Sequence, residues 1–286
     1  MPKKRLYLER NLQIIFAVTL MAVLGVASIT PAFPVIMRQL NISGTEVGLL
    51  ITFFTVPGII LSPIMGVLAD RFGRKKILVP SLLLFGIAGA ACAFTRDFHT
   101  LLALRAFQGI GGASLASINT TIIGDIYSGE GRAEAMGLNA SVLSIGTAIY
   151  PAIGGALAIF GWYYPFALPI VALPICTIVL LFLRNPEPRN RQNLKEYLGG
   201  TWVYLKKLKV IAVFAAGILT FIILYGPYLT YFPLLLDHSF NASSLIIGVF
   251  MSVMSLTMAA VSSQLGKISR LLSLGVIIKL AFVIYA

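Results

Sequence analysis

The stretch Gly66-Val67-Leu68-Ala69-Asp70-Arg71-Phe72-Gly73-Arg74-Lys75-Lys76 sets one carboxylate among four cations, between two long apolar runs. Its glycines predict a sharp chain reversal with positive φ, a conformation glycine adopts without steric cost. Asp70 is the odd element. At a helix end it can cap an N-terminus or pair with Arg71 and Arg74, forming a latch that can be made and broken. The plainer alternative is a solvated basic turn that only orients the chain.

The runs flanking this turn belong to a larger pattern. Of 286 residues, 58% are hydrophobic and 11% charged, against about 25% charged in an ordinary soluble domain. A helix needs about 20 apolar residues to cross a bilayer core of about 30 Å. Eight such runs occur: Leu12 to Met37, Val47 to Met65, Ile77 to Phe94, Thr100 to Gly124, Met136 to Phe160, Tyr164 to Leu183, Val210 to Leu236 and Leu245 to Leu265. A ninth from Leu271 holds 16 residues before Ala286, too few for an ordinary span. The first follows Met-Pro-Lys-Lys-Arg, but its 26 residues exceed a signal core of about 7–15, so a retained helix is expected. The predicted fold class is all-α, a polytopic membrane helix bundle.

The net charge of +12 follows the same order. With a cytoplasmic N-terminus, the cytoplasmic segments hold eighteen Lys and Arg and the opposite loops only Arg38 and Arg96. That asymmetry is the positive-inside signature and carries some attraction for anionic lipid; it argues against nucleic acid as a partner. The expected location is the cell inner (plasma) membrane.

Cys92 and Cys176 lie far apart inside apolar runs, without metal-ligand spacing. His99 and His238 are isolated at outer helix ends, although His99 near Asp97 is placed to feel external pH. Glu46, Asp97 and Asp237 fall on the outer side, and Glu9, Asp70, Asp125, Glu130, Glu134, Glu187 and Glu196 on the inner side. No acid sits near the midplane, where proton-coupled transporters commonly keep one. No ATP-binding loop, catalytic triad or metal cluster is present in the sequence, so neither an enzyme nor a cofactor is expected.

The pattern Gly66-x-x-x-Asp70-Arg71-x-Gly73-Arg74-Lys75 resembles the loop between the second and third helices of the major facilitator superfamily of secondary transporters. The resemblance implies that Asp70, Arg71 and Arg74 latch the inner side of the outward-facing state against a helix of the opposite half. Arg105, Gln108 and Gly109, in Leu104-Arg105-Ala-Phe-Gln108-Gly109, are similar to a second family motif. A charge inside a membrane helix points by default to a bundle interior, a cavity or a partner; snorkelling is the alternative, because Arg105 lies six residues past His99. Guanidinium does not deprotonate in proteins, so Arg105 is expected to bias a nearby carboxylate or bind an anionic group.

Gly146 and Tyr150-Pro151-Ala-Ile-Gly154-Gly155 resemble the pattern of drug:proton antiporters, departing from it at Tyr150, where glycine is expected. Physically, Pro151 bends the helix and frees a carbonyl, and the glycines allow a neighbouring helix to approach; a generic packing face is the alternative. Tyr225-Gly226-Pro227-Tyr228-Leu-Thr230-Tyr231-Phe-Pro233 predicts a broken helix lined by rings that face either flat cations or the membrane interface. Shifted by 196 residues, Gly266 to Arg270 lies over Asp70 to Arg74, a weak parallel repeat.

The resemblance implies a major facilitator fold: a six-helix half over 1–183, a cytoplasmic central loop over 184–209, and a partial second half over 210–286 with helices 7, 8 and part of 9. Thr30, Arg105, Asn119 and Tyr228 become the cavity residues by that comparison. The implied function is proton-coupled efflux of lipophilic or cationic small molecules. The alternatives are a symporter or facilitator for a polar or anionic metabolite, and a truncated protein that does not transport. The sequence is silent on oligomeric state.

Overall fold

Ordinary capping chemistry sets the helix ends. Ser43 and Glu46 form a reciprocal capping box: the Ser43 hydroxyl accepts from the Glu46 amide at 3.2 Å, and Glu46 Oε2 accepts from the Ser43 amide at 2.7 Å. Asp97 accepts from the Thr100 amide and hydroxyl, both at 2.7 Å, and Ser243 from the Ile246 amide. Each cap satisfies amides that the first helical turn leaves without partners.

The structure is a computed structural model that describes residues 6–184 and 208–264, with 275, 276, 279, 280 and 283 beyond them. Eight helices among these are long and apolar enough to cross a membrane: α1 (Arg10–Leu40), α2 (Gly44–Phe72), α3 (Arg74–Cys92), α4 (Phe98–Ile126), α5 (Gly129–Phe160), α6 (Tyr164–Phe182), α7 (Val210–Phe240) and α8 (Ser244–Ser262). No strand occurs among the described residues. All eight expected spans are present, with ends that differ from the expected ones by a few residues. The expected central loop, the ninth run and the 196-residue repeat lie largely outside the described residues.

Four helices are locally interrupted. A 3-10 turn at Thr30–Ala32 breaks α1, a turn at Ala113 and Ser114 breaks α4, and a 3-10 turn at Leu168–Val171 breaks α6. The break expected in α7 is instead a π-helical widening over Leu224–Tyr231 around Pro227, where the Thr230 hydroxyl donates to the Tyr225 carbonyl at 2.7 Å. By contrast, Pro151 sits inside an unbroken α5.

A repeat does emerge, in a different register. Asn41 and Asn241 end α1 and α7 with φ of 52° and 49°, the two positive values outside glycine among the described residues. A shift of 200 superposes Asn41-Ile42-Ser43 on Asn241-Ala242-Ser243, and Phe33-Pro34 and Phe232-Pro233, matched at a shift of 199, begin more than two turns earlier. The main apolar core runs through α1 to α6, around Leu12, Phe33, Leu50, Phe85, Ile122 and Trp162. A second, small cluster of Ala242, Ile247 and Met251 belongs to α7 and α8.

Candidate functional site

At the Gly73 end of the bundle, α2 turns into α3 on a single residue. Gly73 has φ of +104°, a region closed to most side chains, and serves as the C-cap of α2 and the N-cap of α3. Only this glycine makes the turn. Gly66 lies within α2, correcting the expectation that both shape a loop, and a Cβ there would meet open space. Arg74 holds the cluster: its side chain is 8% exposed and pairs with Asp70 at 2.7 Å and with Asp125 of α4. Arg71 lies over the Phe72 ring at 5.7 Å, without an ion pair to Asp70, and Lys75 donates to the Leu183 carbonyl at 3.3 Å. The latch residues are therefore clamped within α2, α3, α4 and the end of α6.

Nearby, the Tyr127 hydroxyl donates to Glu9 at 2.9 Å. Burial, reinforced by that carboxylate, pushes the Tyr127 phenol up from its ordinary value. At the opposite, Arg38 end, the Thr100 amide followed by its hydroxyl holds Asp97 below the ordinary carboxylate value of 3.8. His99 packs on Phe98, and capping α4 already occupies Asp97.

Arg105 is 1% exposed, so the snorkelling alternative is excluded. Its Nε donates to the Leu50 carbonyl at 2.9 Å, its Nη1 to the Gly25 carbonyl at 2.8 Å and to Gln108 Oε1 at 2.6 Å. The guanidinium carbon stands 4.4 Å from the centre of the Phe54 ring, a favourable cation–π distance. One residue thereby ties α1, α2 and α4 together. Its contacts are carbonyls, an amide and a ring, correcting the expectation of a carboxylate partner, and Nη2 has no hydrogen-bond partner. Gly109 supports the same junction, since a Cβ there would fall 2.0 Å from the Phe54 carbonyl oxygen.

The α5 segment works at backbone range. A Cβ at Gly154 would stand 1.8 Å from the Ser28 carbonyl of α1, and one at Gly155 would stand 2.2 Å from the Ser244 carbonyl of α8. From the other side, a Cβ at Gly248 would stand 2.2 Å from the Pro151 carbonyl. The Ala152 amide, next to Pro151, donates to the Ser252 hydroxyl at 3.0 Å. A polar link from α8 thus meets the disturbed backbone of the proline turn. Gly146 packs on Leu20 and on the half-buried ring of Tyr150.

The remaining expected residues are placed as follows. Thr30 is fully buried, with Met251 Sδ of α8 at 3.8 Å. Asn119 is 1% exposed; its amide donates to the Ile15 carbonyl at 2.8 Å and to the Thr19 hydroxyl, which donates on to Asn139 at 2.6 Å. Tyr228 is half-buried and hydrogen-bonds the Met251 carbonyl at 3.0 Å and Ser255 at 3.1 Å. Thr30, Arg105 and Asn119 thus sit inside helix seams in this conformer and offer no surface to a cavity.

The Major Facilitator Superfamily model matches residues 15–286, nearly the whole chain. The chain belongs to the major facilitator superfamily. It is accordingly a multi-pass membrane protein of a transporter family rather than an enzyme family. The chain is 31% identical over 245 residues to Multidrug resistance protein 1 of Bacillus subtilis (strain 168), covering 85% of this chain and 62% of the relative. It is 37% identical over 164 residues to the Bacillibactin exporter of the same organism, covering 55% and 41%. It therefore spans less than two thirds of either relative. A solved bacterial homolog of the human lysosomal transporter Spinster, inward-facing and occupied, shares the fold with TM-score 0.74 and 20% identity over 90% of this chain and 60% of that one.

Sequence reasoning missed four partners within this major facilitator chain: Asp125 for Arg74, Ser252 and Gly248 for the Pro151 turn, and Asp237 for Arg38. Asp125 lies 51 residues from Arg74, and only its place at the end of α4 hinted at a role. Ser252 and Gly248 of α8 carry no motif that announces α5. The ion pair between Arg38 and Asp237, at 2.5 Å, links α1 to α7 across 199 residues.

Proposed function

We propose that the chain is the larger part of a secondary active exporter, moving lipophilic, cationic small molecules outward against proton entry by alternating access. The N-terminus and the Gly73 end are cytoplasmic, the Arg38 end is outer, and α1–α6 and α7–α8 belong to two halves meeting across the transport path. The observation that carries this reading is where those halves touch. Among the described residues, their contacts include ones at the outer end and at mid-depth, through Arg38 with Asp237, Thr30 with Met251, and the glycine seam of α5 and α8. The charged groups of the Gly73 end pair within the first half. That pattern supports a carrier open to the inside. Proton coupling rests on the drug-antiporter pattern at Gly146 to Gly155, and export of small molecules on the similarity to Multidrug resistance protein 1 and the Bacillibactin exporter.

The test is uptake of a fluorescent lipophilic cation into inverted membrane vesicles, with a pH gradient imposed in either direction. Accumulation driven by an acid interior, and abolished by collapsing the gradient, is the expected result. Flux that ignores the gradient removes proton coupling, and absence of flux removes transport by this chain alone. A second reading, passage of an anionic metabolite, draws on the unpartnered Arg105 Nη2 and gains support if flux rises with an anionic solute.

A further inference from the structure

The ion pair between Arg38 and Asp237 stands apart from every other ionic contact described. Arg74 binds Asp70 and Asp125 within α2–α4, whereas Arg38 and Asp237 join α1 to α7, the only salt bridge between the two halves among the described residues. Its geometry is anchored from both sides. Each residue lies three or four positions before an asparagine in the left-handed conformation, and that asparagine leads into a serine-capped helix. Directly beneath the pair the halves touch closely: a Cβ at Gly44 would stand 3.1 Å from Leu234, and one at Gly48 would stand 3.3 Å from Thr230, itself 8% exposed.

We infer that Arg38 and Asp237 are the positioning pair that closes the outer side of the carrier, made in the inward-facing state and broken whenever the substrate leaves outward. This inference rests on the alternating-access reading above. The chemistry suits a reversible closure. Asp237 keeps 24% of its side chain exposed and Arg38 58%, so water can take over both charges when the halves part, and the pair costs little to open. A buried pair would lock the state, because each charge would have to be left uncompensated. Other charged or titratable groups near this end are His238 on the same helix as Asp237, and Glu46, Arg96, Asp97 and His99 across the loops; Glu46 is held by Ser43, Asp97 by Thr100, and Arg96 by the Ala93 and Thr95 carbonyls.

The test places a reporter at the contact beneath the pair. Thr230→Cys is labelled in whole cells by a membrane-impermeant maleimide; Cys92 and Cys176 are buried, and the parent chain without the reporter controls for them. Exposed ion pairs of this kind shift a two-state balance by roughly two- to five-fold. Labelling is expected to rise by about that factor in Arg38→Gln and in Asp237→Asn. It should also rise with salt in the reporter chain but not in those variants, because salt screens only the charges that are present. The exchanged pair, Arg38→Asp with Asp237→Arg, should return labelling to the starting rate. Unchanged labelling in both single variants overturns the inference, as does a rise that the exchange does not reverse or that ignores salt. Labelling that behaves as expected in a chain that moves no cation keeps the closure and removes the export reading; cation flux with unaltered labelling does the reverse.

Discussion

Replacing Gly154 with alanine drives a methyl group to 1.8 Å from the Ser28 carbonyl oxygen, a backbone atom with no rotamer to yield. Ordinary van der Waals contact begins at 3.4 Å, so α5 and α1 must part by roughly 1.6 Å. Overpacking of this kind costs about 1–3 kcal/mol. For a chain of this size each kcal/mol moves a melting point by about 2–4 °C, so a fall on the order of 5 °C is expected in detergent. Gly155→Ala is the natural comparison, one residue along the helix. Its methyl would stand 2.2 Å from the Ser244 carbonyl of α8, and the parting it demands falls between the halves rather than inside one. The first variant should therefore lose stability. The second should keep most of its melting point and alter accessibility at Thr230→Cys. Equal melting points for wild type and Gly154→Ala, or equal losses for both variants, would refute the assignment of the two glycines to different seams.

Three further outcomes follow from the clamps and caps. Asp125→Asn should cost about 1–3 kcal/mol, because it removes the less exposed carboxylate from a buried guanidinium, whereas Asp70→Asn, with its side chain 55% exposed, should cost under about 1 kcal/mol; chemical denaturation in micelles separates them. Arg105→Lys keeps the charge but loses the planar fork that reaches Leu50, Gly25 and Gln108 together, and a loss of about 2–4 kcal/mol is expected in the same assay. Asp97 has its pKa held below 3.8 in the fold; its capping contribution is complete above the unfolded value and lost as pH falls through the folded one. Hydrogen exchange at the Thr100 amide should therefore quicken, relative to its intrinsic rate, below about pH 4, and Asp97→Asn should abolish that dependence.

Membrane spans were legible because twenty-residue apolar runs have few other uses, and the turn at Gly73 because its motif permits little else. The caps were legible in principle: Ser43-Gly-Thr-Glu46 is a written capping box. Long-range pairs were not. Nothing local distinguishes Asp125 from Glu130, or Asp237 from Asp97, until the bundle brings Arg74 and Arg38 alongside. Arg105 shows the opposite limit. Its burial was one of two readings open in the sequence, but its partners are carbonyl oxygens of α1 and α2, which no side-chain pattern can announce.

The burial of Arg105 has an electrostatic consequence for whatever passes along the first half. It is a full positive charge, 1% exposed, with no carboxylate among its hydrogen-bond partners. At 10 Å, through an effective dielectric of about 20, a second positive charge meets about 1.7 kcal/mol of repulsion, roughly an eighteen-fold fall in occupancy. A cation close to α4 is therefore disfavoured, and α7 offers a different chemistry. There the faces of Phe221 and Tyr225, stacked at 5.7 Å, present negative π-density instead. The charge on α4 and the ring faces on α7 thus act with opposite sign on any positive charge.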